Sequence, residues 1–199
     1  MAALADIRNM IAAHTVRGCG MSHHFKWAHG VELPPCPVSV REHTLDCAHS
    51  MSPQFKQGVD ELARDPRVPL EVIQSVRRSI SVARDILWVA DLVAIELSDA
   101  SDAHFAGRSL DAHARRSLSA IGVTYDDGSL NTGQCEAVLR ERQAVGGSLM
   151  LSVRSLILSA IDLLQTGASA ADVATKTATS RALLDRNTDQ VESEFMHGV

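Results

Sequence analysis

Apolar residues recur three and four positions apart along most of the chain, the rhythm of helices that bury one face. Leu4, Ile7 and Ile11 place a short helix over Ala2 to Ala13, broken by Gly18 and Gly20. Ser39 followed by Glu42 is a capping-box pattern that starts a helix near Val40 and carries it to about Ser50. Ser52-Pro53 opens another through Phe55, Val59 and Leu62, ending before Pro66. The longest regular pattern runs from Pro69 to Leu97. Ile73, Val76, Ile80, Ala83, Leu87, Ala90, Ala94 and Leu97 form one seam, and Val72, Ile86, Val89 and Val93 form a second. A helix that is apolar on two sides belongs at the centre of a bundle.

Asp102 to Ile121 reads as the next helix, closed by Gly122, and Tyr125-Asp126-Asp127-Gly128 as a turn. Thr132 begins a helix that reaches Gln165 and stops at Gly167. Gly146-Gly147 inside it costs about 1 kcal/mol per glycine relative to alanine, which marks a kink or a close crossing. Ser169 to about Phe195 completes the set on a thin Ala/Thr face, with Leu183, Leu184, Val191 and Phe195 as its large anchors. The fold class is therefore all-α, a helical bundle.

Composition changes near residue 51. Before it lie three of the four Cys and six of the nine His, and after it the chain turns to Ala, Leu, Val, Ser and Arg. The expected division is a His/Cys-rich module over 1–51 and a helical bundle domain over 52–199. Pro34, Pro35 and Pro37 force an extended or turning path inside the first.

The nine candidate ligands are His14, Cys19, His23, His24, His29, Cys36, His43, Cys47 and His49. Zinc takes four N or S donors in a tetrahedron, usually as two close pairs. His43 and Cys47 are four apart on the capping-box helix and share a face. Cys36 lies just ahead of that helix, and Cys19 sits between two glycines at a Cys-x3-His spacing from His23. The preferred set is Cys19, Cys36, His43 and Cys47, with His23 the first substitute and His14 and His49 next. Ligand density carries this reading, since no Cys-x2-Cys pair is present. The bland reading makes the cysteines small buried hydrophobes and the histidines surface groups. A structural ion is favoured because so short a segment has little core, and zinc supplies on the order of 10 kcal/mol of folding free energy or more.

The formal charge of −5 does not support a strongly electrostatic nucleic-acid binder. Sixteen Arg against three Lys reads as coding bias before it reads as a phosphate-binding surface. Ala2 to Ala13 lacks the continuous apolar core of a secretory signal. Asp91, Glu96, Arg154 and Asp162 interrupt the two most apolar stretches, so no membrane span and an intracellular location are expected. Four cysteines then suit metal binding or thiols better than disulfides.

Other clusters carry less. His104 and His113 are nine apart and fall on opposite faces of a helix, so a shared metal site with Asp99, Asp102 and Asp111 is not expected. The Glu-x-x-His motifs of a di-iron bundle are absent. Arg77-Arg78-Ser79-Ile80-Ser81 and Arg115-Arg116-Ser117-Leu118-Ser119 share one pattern, suited to a kinase or an anion. In the first, Ser79 and Ser81 flank a seam position and are expected to be inaccessible; the second stays open. Cys135, near a helix start, reads as a buried structural thiol.

Three function classes follow. The first is a non-enzymatic zinc-binding helical protein of assembly or regulation, homo-oligomeric and with a protein or nucleic-acid partner. Small regulatory and structural proteins, viral ones among them, are often built this way. The alternative is a metal-dependent enzyme or a metal or redox sensor using the N-terminal cluster, with His24 and His29 as surplus ligands. The third is a structural helical protein without metal.

Overall fold

The computed structural model describes residues 3–12, 53–101, 116, 118–123 and 131–195. Among them the protein is all-α. Five helices follow in order: α1 Leu4–Ala12, α2 Pro53–Leu62, α3 Leu70–Ser101, α4 Thr132–Gln165 and α5 Ala170–Phe195. The described residues fall into two compact units. The first holds 3–12, 53–83 and 147–193; the second holds 84–101, 131–146, 194–195 and the described residues of 116–123.

In the first unit, α1 packs on α2. Ile7 and Ile11, four apart on α1, are buried, as are Phe55, Val59 and Leu62 on α2. Leu149, Met150, Val153, Leu156, Ile157, Ala160, Ile161 and Leu164 form the buried stripe of the C-terminal half of α4. Val72, Ile73, Val76, Ile80, Val82 and Ala83 do the same for the start of α3. Arg154 Nη2 donates to the Ala12 carbonyl at 2.7 Å, a cation on the orphan acceptors at the end of α1. Arg8 pairs with Asp162 at 2.9 Å.

The corner between α4 and α5 is closed on both sides. Gly167 has φ of +81°, and its N–H donates to Leu164 O while Ala168 N–H reaches back to Leu163 O. This is the Schellman pattern, which needs a left-handed residue that glycine adopts without penalty. Ser169 and Asp172 then cap α5 reciprocally, Asp172 N donating to Ser169 Oγ and Ser169 N to Asp172 Oδ2.

α5 differs from the sequence expectation. Its buried residues are Val173, Thr177, Leu184 and Thr188. Leu183, expected as an anchor, is 49% exposed, and Val191 and Phe195 are half-buried. The stripe repeats every eleven residues (173 to 184, 177 to 188), a spacing that stays on one face of a nearly straight helix. Threonine fits there because each hydroxyl returns a bond to its own helix, Thr177 to Val173 O and Thr188 to Leu184 O.

In the second unit both seams of α3 stay buried as far as side chains are described, at Ile86, Leu87, Val89, Ala90 and Val93, joined by Leu92. Asn131 caps α4, its Oδ1 accepting from Gln134 N and its carbonyl from Cys135 N. Gly146 marks a close crossing: a Cβ placed on it would lie 2.6 Å from Leu87 Cγ.

α4 is also long and apolar enough, by length and composition, to cross a membrane. Its most apolar eighteen-residue window has a mean hydropathy of 1.6, and 44% of that window is buried within the protein. The two charges expected to interrupt it are both engaged inside the first unit, Arg154 with Ala12 and Asp162 with Arg8.

Candidate functional site

Cys19, His23, Cys36, His43 and Cys47, with His14, His24, His29 and His49, lie outside the described residues. So do the side chains of Asp99, Asp102, His104, Asp111 and His113. Among the described residues no group of three or more His, Cys, Asp or Glu is placed to hold a metal ion. What the structure does place is the frame that flanks the His/Cys-rich stretch. Ala12, the last residue of α1, accepts from Arg154, and α1 lies against α2, which begins at Pro53.

Cys135, the fourth cysteine, is fully buried one turn into α4, and its thiol faces Val123 O at 3.7 Å. Its place in the core accords with the structural reading. Of the two serines expected to be inaccessible in the first Arg-Arg-Ser-x-Ser stretch, Ser79 is fully buried but Ser81 is exposed. The seam residue Ile80 lies between them. Successive helical positions are rotated by about 100°, so one flank turns inward and the other outward.

Charged groups of the first unit are mostly neutralised in place. Arg67 donates to both oxygens of the buried Asp65 carboxylate, at 3.0 and 2.7 Å, and its backbone N–H adds a third bond at 2.9 Å. These bonds, the side-chain ones foremost, hold the Asp65 carboxyl below its ordinary range. Asp60, Ala63, Arg64, Asp65, Pro66, Val68, Leu70, Ile73 and Arg77 line an open groove of about 340 Å³. Leu70 is 67% exposed there. Arg64 pairs with Glu61, and Arg77 faces Asp60 at 3.7 Å, so the rim is charge-balanced. The Ser169 hydroxyl and amide lower the Asp172 carboxyl, whereas desolvation raises that of Asp85.

The residue that sequence reasoning missed is Arg142, in the second unit. It is 7% exposed, its Nη1 has no hydrogen-bond partner, and its guanidinium carbon lies 5.3 Å from the centre of the Phe195 ring. Desolvation lowers its pKa, opposed by the charge of Glu141. The signal was present: Cys135, Val138, Leu139, Arg142, Gly146 and Leu149 form one helical stripe, in which Arg142 takes a core position. An aromatic face partly replaces the water that a buried guanidinium loses.

No known protein family matches the chain, and neither a curated protein nor a solved structure matches it.

Proposed function

We propose that the chain is a non-enzymatic zinc-binding helical protein of assembly or regulation, acting inside the cell through a protein partner and through self-association. The observation that supports this reading is the density of donors: six His and three Cys between residues 14 and 49. Four of them, Cys19, Cys36, His43 and Cys47, with His23 as substitute, are assigned to one structural zinc. Because α1 packs on α2, the two ends of the donor-bearing stretch are held on one unit. A metal inside such a stretch closes shorter loops than it would in a free chain, which lowers the entropy its binding must offset. The proposed division remains a metal module over 1–51 and a bundle over 52–199.

α4 is read as a core helix and not a span, because its two charges are engaged with α1. Self-association is assigned to the Ala171, Ala174 and Ala178 face of α5, where Ala171 is exposed and Ala174 and Ala178 are half-buried. Gly146, which faces Leu87 of the same unit, is not assigned to that surface.

Elemental analysis of the purified full chain tests the reading, with about one zinc per chain expected. Metal-free protein in which residues 13–52 nonetheless exchange amide protons slowly would sink it. The surplus of donors over the four that zinc needs favours one alternative, a metal sensor or metal-dependent enzyme. A chelator separates the two: a structural ion leaves only as the stretch unfolds, whereas a sensor gives it up with the fold intact.

A further inference from the structure

Within the first unit, α5 is fastened differently from the helices around it. It buries four side chains, of which two are threonines, whereas the C-terminal half of α4 buries eight apolar ones. Most helical stability in proteins comes from a packed apolar face, and α5 has little of one. Its near end is secured by the Schellman turn at Gly167 and the Ser169–Asp172 box. Its far end meets α3 through Arg78, whose Nη1 lies 2.6 Å from Asp189 and whose Nη2 donates to Glu192. One guanidinium thus bridges two carboxylates three apart on the same face of α5. Beside it Ser79 Oγ of α3 and Thr188 Oγ1 of α5 lie 2.8 Å apart.

We propose that α5 is a strap: hinged at Gly167–Ser169, latched by Arg78 across Asp189 and Glu192 with Phe195 over Arg142 beyond them, and opening as a unit of its own in response to ionic strength. The latch is 46% exposed at Arg78, so salt reaches it and screens it. Both capping patterns persist on opening, because one lies within 163–168 and the other within 169–172, and a backbone rotation at the Ala168–Ser169 junction swings the helix without breaking either. Opening uncovers Ser79 on α3 together with the Val173 and Leu184 side chains of the strap, which are buried when it is closed. This inference does not depend on the zinc reading, and its test can fail without touching that one.

Hydrogen exchange followed by mass spectrometry on the full chain decides it. Raising NaCl from about 0.05 M to about 0.5 M should speed exchange over residues 180–193 by roughly five- to tenfold, with α4 residues 149–164 as the unchanged internal control. Arg78→Gln should give the same acceleration at low salt. In the Asp189→Asn/Glu192→Gln background Arg78→Gln should add little, since the partners are already gone. Exchange over 180–193 that ignores salt, or that changes in step with 149–164, overturns the strap. So does an Arg78→Gln effect that is equally large without its two acidic partners. The salt titration uses the unaltered protein, so the proposal stays testable even if a variant folds poorly.

Discussion

Ser79 Oγ of α3 and Thr188 Oγ1 of α5 lie 2.8 Å apart, both fully buried. Each is also within 2.8 Å of a carbonyl of its own helix, Ser75 O and Leu184 O. Two hydroxyl protons therefore serve three contacts, and one contact at any moment lacks a proton. Removing one hydroxyl leaves the other its own carbonyl, so no buried group is orphaned. Ser79→Ala should accordingly cost less than about 1 kcal/mol in urea unfolding, despite complete burial. A loss of 2 kcal/mol or more would show that the crossing bond, and not the intrahelical pair, dominates.

Gly146 and Leu87 test the crossing in the second unit. Gly146→Ala drives a methyl into Leu87 Cγ and should cost roughly 1–3 kcal/mol as overpacking. This outweighs the gain of up to about 1 kcal/mol in helix propensity. Leu87→Ala alone should cost roughly 2–5 kcal/mol, since Leu87 is buried on the central seam. Combined, the two should cost clearly less than their sum, because the new methyl occupies space that the leucine vacated. Strictly additive losses in chemical denaturation would mean that the two residues do not touch.

These two contacts also mark what the sequence could and could not tell. The seam of α3 was legible because Ile73, Val76, Ile80, Ala83, Leu87 and Ala90 are apolar at every step and all are buried. The bounds of α4 were legible because the pattern begins at Thr132 and Gly167 is a strong stop signal, whatever lies between. The face of α5 was not. Thr177 and Thr188 are polar to a pattern reader yet buried, since their hydroxyls bond back four residues along the helix. Arg142 failed for the converse reason: a charge on a core stripe looks like a break in it until an aromatic ring is placed over it. Whether Gly146-Gly147 kinks or permits a close approach depends on the partner across from it, and sequence spacing does not name that partner. The candidate metal ligands lie outside the described residues, and their grouping rests on the density of donors in the sequence.

The Asp65–Arg67 pair predicts a pH dependence with a definite sign. The folded-state pKa of Asp65 lies below its ordinary value, so the native state binds its proton less readily than the unfolded chain does. The resulting stabilisation is fully present above the unfolded pKa and is lost as pH falls through the lower, folded one. Asp65→Asn keeps an acceptor for the Arg67 backbone N–H but removes the charge. Its stability curve should therefore run below that of the wild type at pH 7 and approach it as pH falls below the ordinary carboxylate range. Parallel curves across that acid range would show that the carboxylate contributes no proton-linked stability.

Cys135 and Cys47 stand in different roles. Cys135 is buried in the second unit with its thiol toward Val123 O, while Cys47 is assigned to the zinc. The two should fail in different ways when each is changed to serine. Cys135→Ser places a more strongly polar hydroxyl in a buried site. The same carbonyl can accept its proton, so the cost should be modest, about 1–2 kcal/mol, with bound zinc unchanged. Cys47→Ser should lower the zinc content sharply and speed amide exchange over 13–52, because loss of one ligand withdraws the folding free energy that the metal provides. Thermal denaturation and elemental analysis on the same two samples read both effects. If Cys135→Ser lowers the zinc content as much as Cys47→Ser does, the metal is not confined to the N-terminal donors and the assignment of the module fails. If neither variant changes it, Cys47 is not a ligand. His14, His23 and His49 are then the next to substitute, one at a time, with Cys19 and Cys36 kept as the sulfur pair.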